Sequence, residues 1–286
     1  MKAPRPDWLR VRYQQTPELE NLLELVRTEK LHTVCQSAAC PNLGECWSHG
    51  TATFMIAGNL CTRACGFCDV ATGRPGPLDP GEPERVARAI ARLGLRFAVV
   101  TAVARDDLAD GGAEHFARTV AAIRTHAPGC RVELLIPDLK GSVEALQTVL
   151  AASPDVLNHN LETVERLQRP VRKAGRYDRS LAVLANSARL RPDVPTKTGL
   201  MLGLGETDDE VRQTLRDVRA HGCRLLTLGQ YLAPSPAHLP VARWVSPKEF
   251  DAWADFAREL GFDEVFSGPL VRSSYRAEKL AAAAHK

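Results

Sequence analysis

The stretch TATFMIAGNLCTRACGFCDV, residues 51–70, joins an apolar run directly to a loop that carries Cys61, Cys65 and Cys68. The run TATFMIAG holds β-branched and aromatic residues and predicts a buried β-strand. The three cysteines fall within eight residues, and the loop offers no fourth cysteine. This clustering indicates metal or redox chemistry at the end of the predicted strand.

Apolar runs alternate with amphipathic segments along the rest of the chain. Strands are predicted at 51–58, 97–103, 131–138, 155–160, 196–205 and 225–232, and helices at 82–93, 113–126, 142–151, 180–190, 208–221 and 247–260. Six β/α units in a row predict a parallel sheet with right-handed crossovers, curled into a full or partial barrel. We therefore predict an α/β fold, a partial (β/α)6 TIM-like barrel at 51–262, with extensions at 1–50 and 263–286.

The unusual sequence clusters lie at the carboxyl ends of the predicted strands. ARDDLADGGAEHF follows the second strand, NHNLE ends the fourth, GLGET ends the fifth and GQYLAPS ends the sixth. In β/α barrels this rim carries the chemistry. The candidate cofactor-binding residues are Asp110, Gly111, Gly112, Asn158, Asn160, Glu162, Lys197, Gly203, Gly205 and Gln230.

Strand alternation predicts Asn158 and Asn160 on one face of the fourth strand and His159 on the other. The two asparagines, with Glu162, are candidate polar contacts to a cofactor, and strand-end turn residues are the alternative. Lys197 enters a strand expected to be buried on both faces, so its charge needs a partner.

Glycines and charged residues near the strand ends have more than one interpretation. Gly203 and Gly205 would let a ligand approach the backbone, although plain loop glycines give the same pattern. The charged run at 105–107 either belongs to the site or caps the following helix. His238, in PAHLP, is expected to have a structural role.

Composition and charge exclude several classes of protein. The 286-residue chain has 44% hydrophobic and 25% charged residues, which is typical of a globular protein with a sizeable core. Its net charge of +3, from 37 basic and 34 acidic side chains, is too balanced for an electrostatic nucleic-acid binder. The sequence shows no apolar run of membrane-spanning length, and residues 1–30 lack the apolar centre of a secretory signal. We expect a cytoplasmic protein.

One segment has a local excess of positive charge. RLQRPVRKAGRYDR, residues 166–179, holds six basic side chains and a single acid. A negatively charged partner could dock at Arg169, Arg172, Lys173 and Arg176, and a solvated surface is the alternative.

Six of the eight cysteines lie between Cys35 and Cys68. In a protein that is not secreted, such clustering indicates metal or redox sites rather than disulfides. Cys130 and Cys223 stand apart and are expected to be inert packing residues. A structural zinc site needs four ligands, so zinc at the loop would need a distant fourth. An iron–sulfur cluster held by three thiolates instead leaves one iron open to a small molecule.

The Cys-x3-Cys-x2-Cys loop after the first strand of a β/α repeat, with Phe67 before the last cysteine, resembles the radical S-adenosylmethionine superfamily. The resemblance implies that the three cysteines hold a 4Fe–4S cluster whose fourth iron binds the amino and carboxylate groups of S-adenosylmethionine. The stretch Asp110–Gly112 resembles the glycine-rich contact to the methionine amino group in that superfamily, with looser spacing than usual.

A second triad, Cys35, Cys40 and Cys46, precedes the first strand as Cys-x4-Cys-x5-Cys. With VARDDLADGGAEHF, DVLNHNLETV, KTGLMLGLGET, LTLGQYLAPSPAHLPVARWVSP and SGPLVRSSYRA, it resembles lipoyl synthase over nearly all the chain from residue 33 to 277. The resemblance implies that the two extensions carry an auxiliary 4Fe–4S cluster. Its ligands would be the three upstream cysteines and a serine of RSSY, for which Ser274 is favoured over Ser273.

The same resemblance implies a sulfurtransferase with S-adenosylmethionine and two 4Fe–4S clusters as cofactors. It would insert sulfur at C6 and C8 of a protein-bound N6-octanoyl-lysine, with the auxiliary cluster sacrificed as the sulfur source. Implied partners are octanoylated lipoyl carrier domains, such as the glycine cleavage H protein and the E2 of 2-oxoacid dehydrogenases, and a ferredoxin or flavodoxin-type reductant. Neither nucleic acid nor membrane is expected as a partner.

Two alternatives stay open at the level of sequence. One is another sulfur-inserting radical enzyme, such as a methylthiotransferase, whose auxiliary cysteines have a different spacing. The other is a ferredoxin-like electron carrier without a substrate, which would leave the rim motifs unexplained.

Overall fold

A computed structural model describes residues 5–10, 17–29, 31–34, 40, 42–48 and 51–283. Its strands form one sheet in sequence order, and all neighbours are parallel except the antiparallel pair of β1 and β2. The strands are β1 (His32–Thr33), β2 (Thr51–Ile56), β3 (Phe97–Ala102), β4 (Arg131–Leu135), β5 (Val156–Asn158), β6 (Thr196–Leu202), β7 (Leu225–Gln230) and β8 (Glu264–Gly268).

Most helices lie in the connections between successive parallel strands, whereas the first two precede β2 and the last follows β8. The helices are α1 (Pro17–Thr28), α2 (Leu43–Ser48), α3 (Glu82–Arg92), α4 (Ala113–His126), α5 (Val143–Ala151), α6 (Gln168–Val171), α7 (Tyr177–Leu190), α8 (Asp208–Ala220), α9 (Pro247–Glu259) and α10 (Ala277–Ala283). All six predicted strands and all six predicted helices are present. Within the described part of the chain, no helix combines the length and apolarity that crossing a bilayer requires.

Local signals in the sequence explain where several helices begin. Helices α8 and α9 both start with a capping box, formed by Thr207 with Glu210 and by Ser246 with Glu249. In each box the hydroxyl accepts from the third backbone N–H while the carboxylate accepts from the N-cap N–H, which satisfies two donors that a helix start leaves unpaired. Pro247 occupies the first position of α9, where its missing N–H costs nothing.

The sheet has one parallel strand more than the sequence predicts. Strand β8 pairs in parallel with β7, with Leu226 opposite Val265. The sequence analysis missed it because Val265 and Phe266 are its only large apolar residues, and Ser267 and Gly268 follow directly. The extension predicted at 263–286 therefore begins with a strand of the sheet, and β1 likewise attaches part of the N-terminal extension to the edge of β2.

The two faces of the sheet differ in polarity. The outer face packs against the helices through two apolar clusters, one that includes Phe54, Val100 and Leu134 and one that includes Leu200 and Leu228. The inner face carries buried polar side chains, among them Glu133, Asn158 and Lys197. Because side chains alternate along a strand, the same short strands supply both the apolar core and a polar interior.

The barrel is open, because the strand order runs from β1 to β8 without returning to β1. After β8 the chain turns back through the interior, and α10 packs at the amino ends of the strands. Ala277, Leu280 and Ala281 there contact Phe97 of β3, Val156 of β5 and Leu225 of β7. The C-terminal segment thus closes the lower end of the barrel and leaves the rim free.

Candidate functional site

The cysteine loop begins directly after β2, at the rim of the barrel. Two backbone hydrogen bonds, from Cys61 N to Ala71 O at 2.8 Å and from Gly73 N to Cys61 O at 3.0 Å, close the loop on itself. Cys61, Cys65 and Cys68 are each partly buried. The structure therefore brings the three thiols to the rim, as the sequence predicts.

Arg63, between the first two cysteines, anchors the loop to neighbouring strand ends. Its guanidinium binds both carboxylate oxygens of Asp106 at 2.7 Å and Oδ1 of Asp138 at 2.6 Å. Asp138 follows β4, its side chain is fully buried, and Arg179 binds its other oxygen at 3.3 Å. Although burial opposes charge on Arg63 and Asp138, their hydrogen bonds prevail, so the pKa of Arg63 is raised and the pKa of Asp138 is lowered.

A second pair of side chains fixes the backbone at the loop entrance. Ala57 has a left-handed backbone with φ of 66°. Its N–H donates to Glu82 at 2.7 Å and its carbonyl accepts from Arg105 at 3.0 Å. His115 contacts the same Glu82 oxygen at 2.6 Å. These contacts hold a conformation that an alanine seldom adopts.

The charged run at 105–107 thus has a structural function that the sequence left undecided. Arg105 and Asp106 hold the entrance and the centre of the cysteine loop, and Asp107 pairs with Arg105 at 2.8 Å. The helix cap comes instead from Asp110, which accepts from the N–H groups of Gly112 and Glu114. Gly111 and Gly112 both have positive φ, of 63° and 93°.

The far side of the cysteine loop rests on the segment after β7. Leu239 N donates to Gly66 O at 3.1 Å, and a Cβ on Gly66 would lie only 2.9 Å from the Leu239 side chain. His238 contacts the carbonyl of Cys68 at 3.2 Å and the hydroxyl of Ser235 at 2.9 Å. Nε2 of His238 thus contacts the cysteine loop while the bond of Nδ1 to Ser235 fixes the ring, which agrees with the structural role expected for this residue.

The thiols of Cys65 and Cys68 are poor acids without a metal. Burial raises the pKa of Cys65 to about 11, even though the positive charge of Arg172 opposes the shift, and burial also raises the pKa of Cys68. Metal coordination deprotonates a thiol outright, so a bound metal would convert these groups to thiolates.

Arg172 occupies a different position from the one predicted. The sequence analysis placed it in a docking surface, but it is buried, and its guanidinium donates to the carbonyl of Leu161 at 3.2 Å and to Ser180 at 3.0 Å. The prediction was wrong because charge counting cannot tell which arginine of a basic run turns inward. Arg169 and Lys173 remain exposed, and Arg176 is exposed and paired with Asp178.

Below the rim, a chain of polar side chains crosses the barrel interior. Asn158 donates to Glu133 at 2.7 Å and to the hydroxyl of Ser273 at 3.0 Å. The Ser273 hydroxyl donates to Asn160 at 3.1 Å, and Asn160 donates to Glu162 at 3.0 Å. The structure therefore confirms that the two asparagines share a face. It also places a C-terminal serine between them, which the sequence did not predict.

His159 points away from this interior, as the alternation predicts. It contacts the carbonyl of Ile136 and the hydroxyl of Ser180, each at 2.9 Å. A carbonyl can only accept, so Nδ1 carries the proton and Nε2 accepts from Ser180. Burial lowers the pKa of His159 to about 4, and the charge of Arg172 adds to this effect.

Lys197 has the partner that its burial requires. Its ammonium binds both oxygens of Glu133, at 2.9 and 2.8 Å, and both side chains are fully buried. The Asn158 amide shares the first of these oxygens. Lys197 therefore helps to fix the Asn158 side chain through their shared partner Glu133. The sequence analysis gave no role to Glu133, because one acid in a strand of otherwise ordinary pattern is no signal by itself.

Glu162 and Gly199 shape the end of the polar chain. Glu162 has φ of 68°, and burial raises the pKa of its carboxyl group. Gly199 of β6 leaves space for Asn160, since a Cβ there would lie 2.9 Å from the amide oxygen of Asn160.

Gln230 and Gly203 together fix the segment that follows β7. The Gln230 amide donates to the carbonyls of Leu202, Tyr231 and Arg243, each at 3.1 Å, and accepts from Val245 N at 2.8 Å. A Cβ on Gly203 would collide with this amide and with the Arg243 carbonyl. Because Gly203 has no side chain, the Gln230 amide and the Arg243 carbonyl can pack directly against its backbone. At Gly205 the nearest atom to such a Cβ is the side chain of Ala242, at 3.8 Å.

A separate cavity lies against the N-terminal part of β2. It is lined by Cys40, Asn42, Leu43, Cys46, Thr51, Thr53, Arg272, Ser274 and Tyr275. Two of the three upstream cysteines and Ser274 therefore share one cavity, whereas Ser273 bonds to the asparagines. Cys35 lies outside the described residues.

Glu45 joins α2 to the C-terminal segment beside this cavity. It accepts from Tyr275 at 3.0 Å and from Arg276 at 2.6 Å. Asn42 donates to the carbonyl of Leu270 at 2.6 Å. The side chains between the two extensions thus fix Cys46 and Ser274 on facing backbones.

The donor sets suit iron–sulfur clusters. Three cysteines in a rim loop, and cysteines that share a cavity with a serine, are the ligand types such clusters take. The interior beneath the rim also offers the buried oxygen Oδ1 of Asn158, which has no hydrogen-bond partner. Among the described residues, no three His, Cys, Asp or Glu side chains converge as they would around a single metal ion.

The two remaining cysteines are packing residues, as predicted. Cys130 and Cys223 are buried in the apolar layer outside the sheet. Burial raises the pKa of Cys130 to about 11 and that of Cys223 to about 12, which keeps both thiols protonated and unreactive.

Comparison with solved structures supports this fold. The crystal structure of HydG, a maturase of the [FeFe]-hydrogenase, aligns with a TM-score of 0.61 at 16% identity, over 93% of this chain and 66% of that one. Streptococcus suis SuiB bound to S-adenosylmethionine aligns with a TM-score of 0.53 at 10% identity, over 87% and 60% of the two chains. At these identities the likeness shows the fold alone.

Residues 55–218 match the radical SAM superfamily, so the fold and the cysteine loop together define a radical SAM protein. A lipoyl synthase from Methylococcus capsulatus is 59% identical over 279 residues, which cover 97% of this chain and 87% of that protein. One from Thermus thermophilus is 56% identical, over 96% and 86%. This chain belongs to the lipoyl synthase family.

Proposed function

We propose that this chain forms the lipoyl group by inserting sulfur at C6 and C8 of an octanoyl chain held in amide linkage on a lysine of a carrier protein. The family and its cofactors, S-adenosylmethionine and two 4Fe–4S clusters, are shown by the relatives. The observation that carries the proposal is the cavity shared by Cys40, Cys46 and Ser274, apart from the rim cysteines. One cluster site would account for a radical enzyme, whereas sulfur insertion needs a second site as the sulfur source.

The rim loop would hold the radical cluster through Cys61, Cys65 and Cys68. When bound there with S-adenosylmethionine, the cluster supplies radical hydrogen abstraction, which unactivated C–H bonds require. The contribution of the chain is positional, because Arg63, Arg105 and their partners fix the loop on the ends of β3 and β4. The loop contacts would hold the three thiols at the rim in a fixed arrangement, ready to bind the cluster.

The barrel interior would hold S-adenosylmethionine against the row of hydrogen-bonded polar side chains that includes Asn158 and Asn160. Asn158 presents an unpartnered, buried oxygen that can accept from an ammonium or a hydroxyl group. Asn160 and Glu162 lie on the same side. The remaining candidate residues lie at or after the carboxyl ends of β3, β6 and β7, at the rim. They would act through their backbone groups or by positioning neighbouring segments: Asp110, Gly111, Gly112, Gly203, Gly205 and Gln230.

The cavity shared by Cys40, Cys46 and Ser274 is here called the auxiliary cavity. The auxiliary cluster would bind there to Cys35, Cys40 and Cys46, with Ser274 as the remaining ligand. A serine oxygen is a harder and less matched ligand for such a site than a thiolate. The corner bound by Ser274 would therefore release first, which suits a cluster that is taken apart to supply sulfur.

The proposed partners follow from the substrate. An octanoylated carrier domain, such as the glycine cleavage H protein or an E2 domain, would approach the rim near the exposed Arg169 and Lys173. A ferredoxin or flavodoxin-type protein would supply electrons. The reaction would take place in the cytoplasm.

Anaerobic reconstitution of the purified chain tests the proposal directly. Two 4Fe–4S clusters predict roughly eight irons per chain and formation of 5′-deoxyadenosine under reducing conditions. With an octanoylated carrier domain, mass spectrometry should detect the lipoyl group. Zinc in place of iron, or iron without product, would contradict the proposal.

Two substitutions at the auxiliary cavity separate the roles of the two sites. Cys40→Ala should lose about half of the iron, still form 5′-deoxyadenosine and make no lipoyl product, because the rim loop keeps its thiols. Ser274→Cys should retain iron and lose sulfur transfer, because a fourth thiolate resists disassembly. Lipoyl product from Cys40→Ala would refute the sacrificial role, and wild-type behaviour of Ser274→Cys would favour Ser273 as the ligand.

A further inference from the structure

The C-terminal segment at residues 269–276 lies between the cavity of Cys40, Cys46 and Ser274 and the two asparagines of the interior. It runs along the inner face of β7, where a Cβ on Gly229 would collide with the carbonyl of Val271. Asn42 holds its start through Leu270, and Glu45 holds its end through Tyr275. Both attachments lie in the N-terminal extension, so the segment is fixed to the region that carries Cys40 and Cys46.

The middle of this segment is held from the opposite side. The Ser273 hydroxyl accepts from Asn158 at 3.0 Å and donates to Asn160 at 3.1 Å. Asn158 is in turn fixed by Glu133 and its fully buried partner Lys197. The buried ion pair fixes only one of the two hydrogen bonds that the Asn158 amide donates, so a displacement of Ser273 removes the other one and also the bond that Asn160 accepts, which leaves both asparagine side chains less firmly oriented.

Ser273 and Ser274 face different sites although they are adjacent. Ser274 lines the cavity with Cys40 and Cys46, while Ser273 lies among the asparagines. Their Cα atoms are about 3.8 Å apart, so movement of one residue shifts the other. The one hydroxyl proton of Ser273 is donated to Asn160, and an alkoxide at this position would lose that bond. These contacts favour Ser274 as the ligand and leave Ser273 as the link.

We propose that Ser273 is a positioning residue that couples S-adenosylmethionine binding to the presence of the auxiliary cluster. The inference rests on the proposed function of the two sites. A cluster bound to Ser274 fixes the segment, the segment fixes Ser273, and Ser273 holds Asn158 and Asn160 in their binding orientation. Because coupling free energies are reciprocal, bound S-adenosylmethionine equally stabilises the serine corner of the cluster.

The test compares S-adenosylmethionine affinity with and without the auxiliary cluster. Equilibrium dialysis with labelled S-adenosylmethionine, under anaerobic conditions without reductant, gives the dissociation constant for each protein. The wild type with both clusters should bind about five-fold more tightly than Cys40→Ala, a factor at the low end of measured site coupling. With Ser273→Ala added to each protein, the difference should fall below about two-fold while the iron content stays unchanged.

Two further variants keep the result interpretable. Ser273→Thr retains the hydroxyl and should restore the five-fold difference. Ser267→Ala removes a half-buried hydroxyl from β8, which bonds to the carbonyl of Phe250, and should leave the difference intact. Thermal melts of every variant establish that the comparison is made between folded proteins.

Each contrary outcome has a distinct meaning. A Ser273→Ala protein that keeps the five-fold difference overturns the coupling. Loss of auxiliary iron from Ser273→Ala, with Ser274→Ala retaining it, makes Ser273 the ligand and also overturns the inference. Failure of the wild type to form 5′-deoxyadenosine would refute the proposed function instead, so the two failures are distinguishable.

Discussion

The two cysteine sites differ in how the chain assembles them. Cys61, Cys65 and Cys68 lie on one loop, and side chains that follow two strands, β3 and β4, hold it in place. Cys40 and Cys46 instead meet Ser274 across the chain, joined through Glu45 and Asn42. The first site is local and rigidly supported, whereas the second depends on two extensions meeting. Under the proposed roles, the site that gives up sulfur is thus built from separate segments of the chain, and the site that persists is built on one loop.

The largest effect is expected from removing one thiol of the rim loop, which tests whether that loop holds the radical cluster. Cys65→Ala should abolish 5′-deoxyadenosine formation and halve the iron content, because the rim cluster loses one of three ligands while the auxiliary cavity is untouched. Product analysis by liquid chromatography and an iron assay check this. Cleavage of S-adenosylmethionine at near the wild-type rate would remove the loop from the radical site.

A second substitution removes Arg63, whose ion pairs with Asp106 and Asp138 hold the cysteine loop, and leaves the three thiols in place. It tests whether the rim site depends on these ion pairs. Arg63→Met should lower the free energy of unfolding by about 3 kcal/mol, because Asp138 would lose its main buried partner. It should also lose iron from the rim site only. Denaturant unfolding and iron analysis measure both effects.

Arg74→Met, at an exposed arginine just beyond the same loop, is the matched control. It should change neither quantity. An Arg63→Met protein that matches this control in both stability and iron content would show that the loop holds its conformation without the ion pairs.

The buried histidine behind the local site predicts a dependence of stability on pH. The pKa of His159 is lowered to about 4, so between pH 4 and about 6.5 the unfolded chain binds a proton that the folded protein does not. The contribution of His159 to the free energy of unfolding should therefore be fully present above about pH 6.5. It should fall by up to about 3 kcal/mol as the pH drops toward 4.

His159→Gln should remove this part of the pH dependence in denaturant unfolding curves. His126→Gln, at the end of α4, serves as the control and should retain it. Identical pH profiles for the wild type and His159→Gln would contradict the assignment.

The smallest expected effect concerns the rim surface. Reversing Arg169 and Lys173 to glutamate should weaken binding of an acidic carrier domain about ten-fold at low salt, with less effect as salt screens the charges. Reversal of Arg92 and Arg96, exposed at the opposite end of the barrel, is the matched control. Calorimetric titration at two salt concentrations measures both, and equal losses for the two pairs would exclude rim docking.

The sequence predicted the parts of this protein that depend on local pattern. The six strands, the six helices and the cysteine loop all follow from short-range periodicity and spacing, and all are present. Strand β8 was missed because its apolar signal is two residues long. Arg172 was placed on the surface because a basic run contains no information on which side chain turns inward.

The interior of the site could not be read from the sequence for a related reason. Glu133, Asp138 and Ser273 acquire their roles only when strands and segments far apart in sequence meet. Each is an ordinary residue in its local context. The asparagines were found because alternation along one strand is a local property, and their serine partner was not.

The return of the C-terminal segment through the barrel has a consequence for the order of folding. Residues 269–283 leave the ribosome after every strand of the sheet, and their contacts with Phe97, Val156 and Leu225 join residues that are distant in sequence. Such long-range closure is slow compared with helix formation. During synthesis the half-built barrel therefore stays open at its lower end, and Ser274 is the last proposed ligand to arrive. With Ser274 as the proposed ligand, the auxiliary cluster would be completed only after translation of the whole barrel.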